Sequence, residues 1–133
     1  MIASFSNICF VDGINEAGLG ADMLCLAEGD FGDCKTDGNP LMSIEAWLQY
    51  ALDNYGTAAE AVNELSKEPF VIVDPIRPDG DAASGHVILT DEKGDSAVFE
   101  CLNGKFAGHH GAVWGYDELA ASRSAARDLD ILK

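Results

Sequence analysis

His86-Val87-Ile88-Leu89-Thr90-Asp91-Glu92-Lys93-Gly94-Asp95-Ser96-Ala97-Val98-Phe99-Glu100-Cys101 is the stretch from which the architecture is read. Two β-favouring runs flank five polar residues with a glycine among them, the pattern of a compact hairpin. Asn103-Gly104 reads as the next turn, and Lys105 to Gly108 starts a third strand. Upstream, Pro75, Pro78, Gly80 and Gly85 make Asp74 to Gly85 a loop, entered from a short β-rich run at Phe70 to Val73. Earlier still, Ile2 to Val11 reads as a strand stopped by Asp12-Gly13. Ile14 to Gly18 continues that turn, and Leu19 to Ala27 forms the second strand of a hairpin.

Helical spacing enters between these sheet segments. Trp47, Leu48, Ala51, Leu52 and Tyr55 give one apolar stripe, with Ser43 as N-cap before Ile44 and Gly56 as a stop. Thr57-Ala58-Ala59-Glu60 has the form of a capping box, so a second short helix runs to about Lys67 with Ala58, Val62 and Leu65 inward. Tyr116 to Leu129 is Ala-rich and helix-compatible. The order ββ-αα-βββ-α predicts an α+β fold, an antiparallel sheet covered by helices, in a single domain over residues 1–133. Glu28 to Pro40, with three glycines and four acidic residues, is expected to be a long loop and a candidate pocket wall.

A formal net charge of −15 disfavours nucleic acid and anionic membrane surfaces as partners, because such a surface repels phosphates. No apolar run approaches the length of a membrane span, and the first residues do not read as a signal peptide, so a cytoplasmic location is expected. Cys9, Cys25 and Cys101 sit in apolar runs and read as reduced, buried thiols, whereas Cys34 lies in a polar loop. No cysteine or histidine spacing matches a metal site. His109-His110 with Asp30, Asp33 and Asp37 is the nearest approach to one, and no metal is expected.

Four segments, in order, resemble the choloylglycine hydrolase and penicillin V acylase family. They are Asp12-Gly13-Ile14-Asn15-Glu16-Ala17-Gly18-Leu19-Gly20, the helix-break-helix stretch Leu52 to Val62, the hairpin His86 to Glu100, and Asn103-Gly104-Lys105. Together they span residues 9–108, with 109–133 a divergent tail. The resemblance implies an αββα N-terminal-nucleophile-hydrolase sandwich, of which this chain would form part. It implies hydrolysis of a linear amide C–N bond in a small amide or acyl substrate, by an N-terminal cysteine that uses its own α-amino group as base. No cofactor is implied.

The same resemblance places an oxyanion donor at the backbone of Cys25. His86, which opens a strand beside a glycine-rich loop, is a second substrate-binding candidate, with a packed or solvent-facing histidine as the alternative reading. Asp12, Gly13, Asn15 and Gly18 are expected to shape the turn, the Asp12 and Asn15 side chains bonding its backbone. Position 1 is Met, and the later Asn donor of the family has no counterpart near Val113-Trp114. A truncated chain, inactive alone, is therefore the expectation, with a non-catalytic binding or assembly module as the alternative. A sheet lacking its neighbouring strands would leave an apolar edge at Ile2 to Val11, so a homodimer or higher homo-oligomer is expected.

Overall fold

A computed structural model of the chain describes residues 2–5, 9–25, 38–73, 85–102 and 105–111. Its strands are β1 (Ile2–Phe5), β2 (Cys9–Ile14), β3 (Gly20–Cys25), β4 (Leu41–Ser43), β5 (Val71–Val73), β6 (Gly85–Thr90), β7 (Ser96–Leu102) and β8 (Lys105–Gly111). Helices α1 (Ile44–Asn54) and α2 (Ala58–Leu65) lie between β4 and β5. Six strands form an antiparallel sheet in the order β1-β2-β3-β6-β7-β8, while β4 and β5 make a separate two-stranded parallel sheet. The helix expected over Tyr116 to Leu129, the Asn103-Gly104 turn and most of both long loops lie outside the described residues.

Because side chains alternate along a strand, one face of the six-stranded sheet carries Leu19, Ala21, Val87, Leu89, Ala97, Phe99 and Cys101. These residues share one core with the helices. The stripe read from the sequence is the buried face of α1: Trp47, Leu48, Ala51, Leu52 and Tyr55 are all buried. Trp47 meets Phe99 edge-on with ring centroids 6.3 Å apart and lies 5.9 Å from Phe106. In α2 the fully buried positions are Ala58, Ala61 and Leu65. Val62, expected inward, is half-buried and packs at the margin of the core, while Ala61 takes the buried position on that turn of α2. The capping box forms with an altered partner. Thr57 Oγ1 accepts from the Glu60 N–H at 3.2 Å, and the Glu60 carboxylate reaches one residue further back, to the Gly56 N–H at 2.8 Å.

The first hairpin differs from its sequence reading. Ile2 to Val11 is two strands, and β2 runs straight through Asp12 and Gly13, which are therefore strand residues and not turn residues. Gly13 is paired on both sides, with Ile2 and with Ala21, and a shift in register between Ala3 and Ser4 takes up the extra β2 residue. The reversal starts at Asn15, where the side chain can close it.

That reversal and the one between β6 and β7 are the same structure built twice. The Asn15 N–H donates to the Leu19 carbonyl at 3.0 Å, the Gly18 N–H donates to the Asn15 carbonyl at 3.1 Å, and Gly18 has φ +82°. In the second turn the Asp91 N–H donates to the Asp95 carbonyl at 3.0 Å, the Gly94 N–H donates to the Asp91 carbonyl at 3.0 Å, and Gly94 has φ +78°. Both are three-residue loops that need a left-handed residue, and glycine takes that conformation at no steric cost. In each, the first residue's Oδ1 accepts two backbone N–H groups: Ala17 and Leu19 on Asn15, Lys93 and Asp95 on Asp91.

The remaining side-chain atom of each turn residue faces a helix end of opposite polarity. Asn15 Nδ2 donates to the Leu52 and Tyr55 carbonyls, at 2.9 and 2.7 Å, where α1 runs out of internal donors. Asp91 Oδ2 accepts from the Ala58 N–H at 3.2 Å, where α2 begins with unsatisfied amides. An amide meets the carbonyl end and a carboxylate meets the N–H end, as the helix dipoles require. Burial alone would raise the Asp91 pKa, but the amides of Ala58, Asp95 and Lys93 outweigh it and hold the carboxyl below its ordinary value. This contribution to stability is complete above the ordinary aspartate range and is lost as pH falls through the lowered value.

Candidate functional site

The face of the six-stranded sheet opposite the helices is set by the same alternation. On β2 and β3 it carries Asp12, Ile14, Asp22 and Leu24, all exposed. On β6 to β8 it carries His86, Ile88, Val98, Glu100, Ala107 and His109, of which His86, Val98 and Glu100 are buried. Register brings the two halves together: Leu24 lies opposite His86, Ile88 opposite Val98, and Val98 opposite His109. Extending the β6–β7 register by one residue places His86 opposite Glu100.

Glu100 is 0 % exposed, and the His109 Nε2 lies 3.6 Å from its Oε2. His86, Glu100 and His109 thus form a polar row across three strands, with Ile88, Val98 and Ala107 beside them on the same half-face. The neighbouring His110 lies on the other face, as strand alternation demands, with its Nε2 2.7 Å from the Asp95 carboxylate. The two adjacent histidines therefore serve separate carboxylates on opposite sides of the sheet. Asp30, Asp33 and Asp37 lie outside the described residues.

At one end of the sheet, Cys25 is paired with Gly85 and Leu24 with His86, so the two residues expected near substrate stand on adjacent strands one position apart. The direction of the Cys25 amide follows from its neighbour. The Leu24 carbonyl oxygen faces β6, where it lies 3.0 Å from the position a Cβ on Gly85 would occupy. In a trans peptide the N–H points opposite to the carbonyl, so the Cys25 N–H points away from β6, toward the β2 side. The β2–β3 pairing runs from Ile14↔Gly20 to Asp12↔Asp22 and stops before Cys25. A backbone donor is therefore aimed to the side of β3 on which the ladder with β2 has ended.

Asn15 and Gly18 are in the turn at the opposite end of β3, together with Asp91 and Gly94 of the second hairpin. Most of the motif residues thus gather at the helix-clasping end of the sheet, and the Cys25–His86 pair stands at the other. The polar row was not expected from the sequence as a unit. Counting outward from the Asp91–Asp95 turn gives His86 opposite Glu100, and this was the available signal.

Asp12 and Asp22 face each other across β2 and β3. Partial burial, then the Asp12 charge and a side-chain hydrogen bond to it, raise the Asp22 pKa above its ordinary value. A raised folded-state value favours the protonated form, so the pair stabilises the fold below the ordinary aspartate pKa and loses that contribution as pH rises through the raised value. Asp22→Asn is expected to raise the Tm at pH 7, with the gain shrinking toward pH 3. Thermal melts at both pH values check this, and an equal shift at the two would show that the two charges do not interact.

The chain belongs to the family of linear amide C–N hydrolases described as the choloylglycine hydrolase family, whose sequence model matches residues 1–115. Over 101 residues it is 43 % identical to penicillin V acylase from Pectobacterium atrosepticum, covering 74 % of this chain and 27 % of that protein. Penicillin V acylase from Agrobacterium tumefaciens superposes with a TM-score of 0.76 at 39 % identity, covering 96 % of this chain and 39 % of that one. A variant of conjugated bile acid hydrolase from Clostridium perfringens shares the fold, with a TM-score of 0.70 at 22 % identity over 94 % of this chain and 40 % of that one. The chain thus spans between about a quarter and two fifths of the length of these relatives. Its antiparallel sheet with covering helices is similar to their N-terminal-nucleophile-hydrolase fold. No helix among the described residues is long and apolar enough to cross a membrane.

Proposed function

We propose that these residues form one wall of a linear amide C–N hydrolase site that takes a small acylated amine. The Cys25 N–H acts as an oxyanion donor, with His86 beside the bound acyl group. The observation that carries this reading is the direction of the Cys25 amide, away from β6 and beyond the end of the β2–β3 ladder. Backbone N–H groups fixed in a sheet stabilise the oxygen charge of a tetrahedral intermediate because they need no reorganisation as that charge develops. The relatives' names, penicillin V acylase and conjugated bile acid hydrolase, support an acyl group with a large apolar part. The exposed Leu24 and half-buried Ile88 on the same face suit such a group.

The thiolate is a separate matter. Burial, then the Glu68 charge, pushes the Cys101 thiol up to about 12, so it is neither ionised nor accessible at neutral pH. That excludes Cys101 as the nucleophile, and we propose that the 133-residue polypeptide alone does not hydrolyse penicillin V or a conjugated bile salt. Turnover that disappears on Cys9→Ser or Cys25→Ser would overturn that expectation and identify a thiol within these residues as the nucleophile. The wall itself is tested by titrating the 15N-labelled polypeptide with phenoxyacetate, the acyl product of penicillin V hydrolysis. Shifts confined to Cys25, His86 and their neighbours support the reading, and shifts elsewhere or none would overturn it.

We propose further that the polypeptide self-associates through the β1–β2 edge of the sheet, away from Cys25 and His86. Ile14 on β2 is exposed at 55 %, and β1 is one of the two outermost described strands of the six-stranded sheet. Screening limits the repulsion between exposed charges to about 8 Å at physiological salt. Association should therefore strengthen as salt rises, and sedimentation showing a monomer at both low and high salt would refute it.

A further inference from the structure

Gly85 opens β6, is buried, and has a φ outside the left-handed region, so backbone freedom does not explain a glycine there. What explains it is a neighbour. A methyl group at this position would stand 3.6 Å from Ile44 Cδ1 and 3.6 Å from Met23 Cγ, ordinary contacts with flexible side chains. The same methyl would stand 3.0 Å from the Leu24 carbonyl oxygen, which is backbone. Gly108 offers a contrast: a methyl there would press on the Phe99 ring, a side chain, at 3.3 Å. Only at Gly85 does the close approach bear on the peptide that carries the Cys25 N–H.

The Leu24 carbonyl and the Cys25 N–H belong to one planar unit, so neither turns without the other. We infer that Gly85 is a positioning residue: its missing side chain lets the Leu24 carbonyl lie against β6 and thereby holds the Cys25 N–H aimed at an anionic oxygen on the opposite side. This rests on the reading of Cys25 as an oxyanion donor. It adds that the donor's aim is set from the neighbouring strand, by a residue that touches no substrate. An alanine at position 85 would press the carbonyl away from β6, turn the peptide plane, and swing the donor off its acceptor.

The experiment uses the 15N-labelled polypeptide and Gly85→Ala, with phenoxyacetate as a carboxylate probe. Residual dipolar couplings report the orientation of each N–H vector without any ligand. The Cys25 coupling is expected to change in Gly85→Ala, while those of Ala97, Val98 and Phe99 on β7 stay as they were. Phenoxyacetate affinity is expected to fall about tenfold, the consequence of losing one hydrogen bond to a charged acceptor. The double variant Gly85→Ala with Ile44→Val, which relieves the side-chain contact and leaves the carbonyl contact, is expected to behave like Gly85→Ala. An unchanged Cys25 coupling, or recovery in the double variant, would overturn the inference. If the wild-type polypeptide does not bind phenoxyacetate, the donor reading fails while the couplings still decide the role of Gly85. Should Gly85→Ala not fold, amide exchange in the wild type decides it. The Leu24 N–H, on the β6 side, should be protected and the Cys25 N–H should exchange fast, and equal protection at both would refute the inference.

Discussion

Trp47→Ala is expected to cost about 3 to 5 kcal/mol of folding free energy, the range for truncating a buried aromatic side chain. Trp47 is 0 % exposed and fills the space between α1 and the sheet, against Phe99 and Phe106. Neither ring can follow the receding side chain, because each is held on a strand, so the vacated volume stays largely empty. Part of the loss has a compensation: the Trp47 Nε1–H is buried with no hydrogen-bond partner among the described residues. Leaving such a donor unpaired costs about 1 to 3 kcal/mol, and any variant that removes it recovers that amount. Trp47→Phe, which keeps most of the volume and drops the donor, should therefore cost far less, about 1 kcal/mol. Urea titrations of the two variants check the pair of values. A loss below about 1 kcal/mol for Trp47→Ala would mean that α1 packs against the sheet through another face.

Asn15→Ala is expected to cost about 2 to 4 kcal/mol, from four side-chain hydrogen bonds worth roughly 1 kcal/mol each. Two of them close the β2–β3 turn, and two join that turn to the end of α1. Asn15→Asp is the sharper experiment. It retains the oxygen that accepts from Ala17 and Leu19 but turns the amide donor into an anionic oxygen facing the Leu52 and Tyr55 carbonyls. Those carbonyls are the negative end of the helix, so Asn15→Asp should lose at least as much stability as Asn15→Ala at pH 7. Part of that loss should return on acidification below the ordinary aspartate pKa. Denaturant midpoints at pH 7 and pH 3 check this, and a fully stable Asn15→Asp would show that the clasp to α1 carries little energy.

The helices and the hairpin from His86 to Cys101 were legible because each announces itself locally. Trp47 to Tyr55 shows a helical period, and Gly94 supplies the left-handed residue between two β-rich runs. Asp12-Gly13 was misleading for a physical reason: a glycine after an aspartate is a turn signal, but it is equally suited to a crowded central strand. There Gly13 is paired on both sides and Asp12 can point outward. β4 was missed because three residues carry no period, and its partner β5 lies beyond both helices. The site was legible only in part. Cys25 and His86 could be placed by resemblance, but that one peptide faces β6 and another does not depends on register. Glu100, in a sequence otherwise apolar, reads as an exposed strand residue until His86 and His109 are seen on the same face.

The motif residues around the two turns are mainly a device for seating helices. Four residues of the resembling segments, Asn15, Gly18, Asp91 and Gly94, lie at the end of the sheet remote from Cys25. Substitution at Cys25 or around His86 therefore leaves the clasped end intact, and a chain can keep its family pattern while its chemistry drifts.

The twin turns also bear on how the chain reaches this state. Each hairpin closes between near neighbours, on a timescale of about 1 to 10 μs. The β3–β6 ladder that unites them joins Gly20 to Thr90 and Cys25 to Gly85, residues roughly sixty to seventy positions apart, and must absorb a far larger loss of chain entropy. Asn15 and Asp91 each tie a finished hairpin to one side of the same helix break, so that break acts as the hinge on which two preformed halves meet. The slow step is then this meeting. Loosening either clasp should delay folding more than it hastens unfolding.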